Sequence, residues 1–154
     1  DVLNVVPPQR AGDIAGIAGI VNVNNRWVGM NWLTMEAAAA PGIHVLGDAT
    51  FSAPLMPKSG HMANQHAKVA AAAIVAQLGG GAVNPTPVVM NTCYSFVTAR
   101  DAMHVASVHQ YDSAEKTFKT VPGSGGVSAA AGQVEGRIAL AWAENTWADA
   151  LALS

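Results

Sequence analysis

"PGIHVLGDATFSAPLMPKSGHMANQHAKVAAAAIVAQLGGG" occupies residues 41 to 81 and holds the clearest local signals of the chain. Residues 42–50 are a compact apolar run ending in Gly47-Asp48, which predicts a strand buried on both faces. Residues 51–60 carry Pro54 and Pro57 and predict an irregular loop. From Ser59 or Gly60 to Leu78 alanine dominates, and Gly79-Gly80-Gly81 closes the run. The strongest helix of the chain is expected there. Strand, loop and helix in this order place Asp48 at the carboxyl edge of a sheet, where ligands bind in open α/β folds. Gly47 lets a ligand approach the backbone closely. The helix start offers unpaired N–H groups and partial positive charge to an anion, and Lys58 adds to that field. Each feature also has a plainer reading. Gly-Asp ends many strands in an ordinary turn, and Ser59 is a good helix cap, a role worth on the order of 1 kcal/mol.

Working outward, "DVLNVV" (1–6) predicts a strand stopped by Pro7-Pro8. Residues 11–20 have helical spacing weakened by Gly12, Gly16 and Gly19, and 22–36 read as loop and short strand. On the other side, "NPTP" (84–87) is a stiff linker and divides the chain into lobes 1–84 and 85–154. Beyond it, "VVMNTCYSFVTA" and "MHVASVHQYD" alternate like strands. "SAEKTFKTVPGSGG" predicts a hairpin turn, a short strand and a glycine loop. Residues 136–153 predict a terminal helix with one apolar face.

The 154 residues are 51% hydrophobic and 12% charged. A sizeable core is expected, and the charged fraction is about half of the usual quarter. Part of the surface is therefore expected to lie under another piece of protein. The net charge of −2, with no basic cluster, argues against nucleic-acid binding. No apolar stretch reaches the roughly 18 residues of a membrane span. The histidines at 44, 61, 66, 104 and 109 lack zinc spacing, and no metal is expected. "GSGGVS" (123–128) imitates a phosphate loop but follows Pro122 and ends on serine, so it reads as a turn. A Ser-His-Asp hydrolase would need a nucleophile elbow, which is missing. Cys93 is the single cysteine. It is either a small buried hydrophobe or a thiol that reacts with a partner on another segment.

Taken in order, "NVVPPQRAG", "PGIHVLGDAT", "PLMPKSGHMANQHAKVAAAAIV", "NTCYSFV" and "VPGSGGVS" resemble the carboxyl-terminal part of the flavoprotein subunit of flavocytochrome c sulfide dehydrogenase. The likeness runs over about residues 2 to 150 and is strongest from 42 to 96. It implies a glutathione-reductase-like architecture, α/β plus α+β. Residues 1–84 would then be the last part of a Rossmann-like FAD-binding domain, and 85–154 an interface domain. Pro8 and Gln9 match a "PPQ" stretch near the flavin, Asp48 the residue that bonds the ribityl chain. Lys58, Ser59 and Gly60 match a turn whose helix points at the flavin pyrimidine. Cys93 matches one cysteine of a redox-active disulfide beside the isoalloxazine ring. The resemblance further implies that hydrosulfide opens this disulfide, that two electrons reach FAD, and that they pass singly to haem on a c-type cytochrome subunit. The second cysteine and the glycine-rich pyrophosphate loop would belong to an amino-terminal part, making this chain a fragment or cleavage product of a periplasmic enzyme. A sulfide:quinone reductase is the nearest alternative, but no Lys or Arg follows Arg137 to give the terminal helix a basic face for lipid. A binding domain without redox chemistry is the other.

Overall fold

The computed structural model describes residues 2–151. It is a mixed helix-and-sheet fold whose strand pairs are antiparallel. A short helix α1 (Asp13–Ile17) leads to a minimal hairpin, β1 (Met30–Asn31) and β2 (Glu36–Ala37), and to a 3-10 turn at Gly47–Ala49. The long helix α2 (Gly60–Leu78) follows. The second half is a sheet of β3 (Val88–Phe96), β4 (Ala102–Asp112), β5 (Thr117–Thr120) and β6 (Gly126–Val127), closed by helix α3 (Gln133–Leu151).

Helix α2 forms where the alanine run predicts it. Alanine loses no side-chain entropy in a helix. Ser59 has extended backbone and its Oγ accepts the Met62 N–H at 3.1 Å, while Gly79 stops the helix. Met62, His66, Ala70 and Ala73 form its buried stripe, at the three- and four-residue spacing of one helix face. That stripe packs toward β3 and the 3-10 turn.

Strands β3 and β4 pair over nine residues, from Val88↔Gln110 to Phe96↔Ala102. β5 and β6 both pair with β4, so β3 is an edge strand. Its period-two burial follows from the pleat: Val89 and Asn91 are buried, whereas Val88 and Met90 are exposed. Helix α3 lies against β4. Its close approach depends on Gly136, where an added Cβ would overlap the Arg100 carbonyl oxygen.

The main core joins Trp32, Met35, Met62, Val89 and Phe118, with Trp32 edge-on to Phe118 at 5.5 Å. Its side chains come from both sides of residues 84–87. A smaller cluster of Ala11, Ala15, Ile20, Val28 and Ala37 supports the first hairpin.

Two expected strands do not form. Residues 2–10 are irregular and exposed, with Val2 at 98% and Leu3 at 87%. Among the described residues no neighbouring strand takes their backbone hydrogen bonds, which leaves those groups open to solvent. Residues 42–50 do not make a strand buried on both faces either. Ile43 and Leu46 are exposed, and Gly47 at φ +65° turns the chain into the 3-10 turn. Short contacts hold the stretch instead: Ala37 N–H to the Ile43 carbonyl at 2.7 Å and Val45 N–H to the Met35 carbonyl at 2.8 Å. A single bridge, Val28 with Thr50, is parallel. The Rossmann-like sheet is thus absent from the described residues, and they form an α+β arrangement. The terminal helix begins at Gln133, three residues before the expected start. The last residues of its predicted range, 152 and 153, lie outside the described residues.

Candidate functional site

A cleft of about 320 Å³ opens between the start of α2, the middle of β3 and the side of α3, with Ser59, Gly60, His61, Cys93 and Trp142 on its wall. The elements explain the grouping. Ser59 and Gly60 stand at the cap and first turn of α2, Cys93 sits centrally on β3, and Trp142 comes from the middle of α3. Ser59 Oγ and the Ala63 N–H bond use two of the helix-start partners, leaving the Gly60 and His61 N–H groups at the mouth of the cleft without a helical acceptor.

Cys93 is half-buried and unpaired. Its Sγ lies 3.4 Å from Asn91 Nδ2 and 3.6 Å from Asn91 Oδ1. Ser59 Oγ donates to the same Oδ1 at 2.5 Å. The cap of α2 and the thiol of β3 are therefore joined through one buried amide.

Aromatic rings floor the cleft. The Thr92 N–H donates to His61 Nδ1 at 2.9 Å. The His61 ring stands edge-on to Trp142 at 5.2 Å, and Trp142 is 5.8 Å from Tyr94. Tyr94 faces His104, its cross-strand partner, at 6.2 Å. Burial holds His61 below the ordinary imidazole range and, with the Glu135 charge, pushes the Tyr94 phenol up. Behind them Ser128 Oγ and Glu135 Oε2 both meet His104 Nδ1 at 2.9 Å, and Ser128 Oγ donates to Glu135 Oε2 at 2.6 Å. The Ser128 hydroxyl and His104 hold the Glu135 carboxyl below its usual range. A hydrolytic relay needs the serine and the carboxylate on opposite ring nitrogens. Here they share one, so the cluster is a latch between β4, the 128 turn and α3.

A second corner lies at Gly47. An added Cβ there would meet Ala63 Cβ at 2.9 Å, so glycine permits both the positive φ and the approach of α2. The Gly47 N–H donates to His66 Nδ1 at 3.1 Å. The His66 proton must then be on Nε2, which is buried and has no partner among the described residues. Burial and the nearby Lys58 charge lower the His66 pKa to about 4, so the ring is neutral. Lys58 Nζ donates to the carbonyls of Asp48 and Thr50 at 2.8 and 2.6 Å and stands 3.9 Å above the Trp27 ring. Burial keeps its pKa below the usual lysine range. All three donor directions of this ammonium are occupied.

The structure brings Ser59, Gly60 and Cys93 to one cleft, and Gly47, Asp48, Lys58 and Ser59 around the adjoining corner. Ser59 belongs to both. Pro8 and Gln9 are not brought there. They lie in the exposed leading segment, where the Gln9 amide bonds the Pro7 carbonyl. Asn91, His61, Tyr94 and Trp142 went unassigned in the sequence. Asn91 was within reach of sequence reasoning, since a residue two before Cys93 on a strand shares its face. Trp142 was not, because its place depends on how α3 docks.

Residues 85–151 match the family model described as "Flavocytochrome c sulphide dehydrogenase, flavin-binding". The likeness to this family lies in that segment. The flavocytochrome c sulphide dehydrogenase match contains Cys93, Tyr94 and Trp142, while Gly47, Asp48, Lys58, Ser59 and Gly60 precede it. The family binds flavin, in agreement with the FAD expected. Its name carries a cytochrome c partner and an oxidoreductase activity. The residues present suit such a group: free N–H donors at the start of α2 face electron-rich atoms well, and the aromatic wall suits a planar ring. Among the described residues no three His, Cys, Asp or Glu side chains come together as a metal site, and no helix is long and apolar enough to cross a membrane.

Proposed function

We propose that this chain is the flavin-facing and thiol-bearing portion of a periplasmic sulfide dehydrogenase that passes electrons to a c-type cytochrome subunit. The juxtaposition of Cys93 with the start of α2 in one cleft carries the reading. FAD, when bound, supplies the two-electron acceptor between the sulfur substrate and the one-electron haem. Gly60 and His61 N–H groups would face the pyrimidine end of its ring, with the helix dipole favouring negative charge there. Asp48, whose side chain is exposed, would accept from ribityl hydroxyls, and Gly47 would keep that approach open. Pro8 and Gln9 would join only if the leading segment folds back. Lys58 would act indirectly, by fixing the 48–50 turn through its two carbonyls.

Cys93 is the only cysteine of the chain, so its disulfide partner must come from another polypeptide segment. The exposed apolar Val2, Leu3, Val6 and Leu55 support such a segment, which would complete the FAD domain and pair with residues 2–6. The sheet and α3 would serve as the interface domain.

Replacing Cys93 by serine in the assembled enzyme tests the reading. Sulfide-dependent reduction of cytochrome c is expected to fall nearly to zero while flavin absorbance is retained. Turnover at the wild-type rate in Cys93→Ser rejects the role.

A further inference from the structure

We propose that Asn91 is a positioning residue that holds a hydrogen-bond donor on the Cys93 sulfur, tuning the thiol through the start of α2. The proposal rests on the role given to Cys93 above. Asn91 precedes Cys93 by two residues on β3, so both side chains leave the same face of the strand. Asn91 is 3% exposed and has little water to bond. Its amide could turn over if both ends had equal partners, and the start of α2 removes that freedom. The Met62 N–H occupies a lone pair of Ser59 Oγ. The Ser59 hydroxyl hydrogen is then free to go to Asn91 Oδ1, 2.5 Å away. With Oδ1 accepting, Nδ2 is the end that offers its hydrogen to Cys93 Sγ at 3.4 Å. The neutral thiol can also donate back to Oδ1 at 3.6 Å, but once the sulfur has lost its hydrogen donation runs one way, from helix backbone to hydroxyl to amide to sulfur. Each link polarises the next, and the partial positive charge of the helix start lies behind them.

Nδ2–H faces the sulfur, and a donor bonds a charged acceptor more strongly than a neutral one. When hydrosulfide opens a disulfide that includes Cys93, one S–S bond forms and another breaks. The hydrosulfide proton stays on the new persulfide, and the departing sulfur takes the electron pair as thiolate. If Cys93 is the departing sulfur, Asn91 Nδ2–H faces that charge as it develops. The second sulfur is supplied by the partner segment, and the step consumes no other reagent.

Because Cys93 is the sole thiol of this chain, its alkylation by iodoacetamide across pH reads one sulfur without needing flavin or sulfide. Asn91→Leu removes the donor at nearly equal volume and adds no charge. It is expected to move the midpoint of the alkylation profile upward by on the order of one pH unit. Ser59→Ala frees the amide to turn over and should move the midpoint the same way, by less. Profiles of both variants that superimpose on wild type, with circular dichroism showing Ser59→Ala folded, overturn the proposal. Shifted profiles uphold it. Turnover in Cys93→Ser is read separately, so the wider reading can fail while this coupling stands.

Discussion

His66 is the residue whose burial has the clearest energetic signature. It is buried to 2% exposure with one ring nitrogen unpartnered, and its pKa falls from 6.5 to about 4. Between these values the unfolded chain binds a proton that the folded chain excludes, so stability must drop as pH falls through that window. The contribution is complete above pH 6.5 and is on the order of 3 kcal/mol from the size of the shift. His109 and His61 are lowered in the same direction by burial and reinforce it. His66→Gln keeps an acceptor for the Gly47 N–H. Its melting temperature should depend less on pH between 6.5 and 4 than that of wild type, as thermal melts across that range will check. Gly47 is the matching backbone case. Gly47→Ala meets Ala63 at 2.9 Å and a φ of +65°, and should cost about 2 kcal/mol from strain and crowding together. Adding Ala63→Gly should return the steric share but not the backbone share, which a double-mutant cycle of melting curves separates. In the sequence Gly47 and Asp48 were visible as a turn at the end of an apolar run. The histidine beneath them was not, because nothing in "NQHAKV" says which face of α2 meets Gly47.

Elements with their own local signals were legible. α2 had an alanine run, a serine cap and a glycine stop, and it spans Gly60–Leu78. β3 and β4 had alternation on both sides of a short turn, and they pair in register. The strands expected at 1–6 and 42–50 failed for the opposite reason. An apolar run specifies burial, but a strand also needs a neighbour for its N–H and C=O groups, and the sequence of one strand does not contain the other. α3 shows an intermediate case, since its helical pattern was plain and its docking was not. Docking rests on Gly136. A glycine inside a helix normally gains about 1 kcal/mol on change to alanine, but here the new Cβ would overlap the Arg100 carbonyl. Gly136→Ala should therefore lower stability, by about 1–3 kcal/mol, reversing the usual sign in a chemical denaturation curve. Release of α3 would also loosen Trp142 from His61 and Tyr94.

For the whole molecule, the low charge fraction predicted covered surface, and the structure leaves Val2, Leu3, Leu78, Val127 and Trp147 exposed. On the proposed function the chain alone presents one wall of the flavin site, so it should retain little FAD after gel filtration. Near-stoichiometric flavin absorbance on the isolated protein would contradict the partner segment. The cleft could not be read from the linear order, because its walls lie at residues 59–61, 92–96 and 139–143 and meet only through tertiary packing. One bond described above reaches further. Among the described residues β3 has a neighbour on one side only, and at its open side the Thr92 N–H is taken by the His61 ring instead of by a strand. That imidazole is a plug. It can accept only while Nδ1 carries no hydrogen, so acidification ejects it and bares a hydrogen-bonding rim that invites sheet growth between molecules. Turbidity on acidification below the ordinary imidazole range should then appear before global unfolding, and the site's own floor would be the seam along which molecules join.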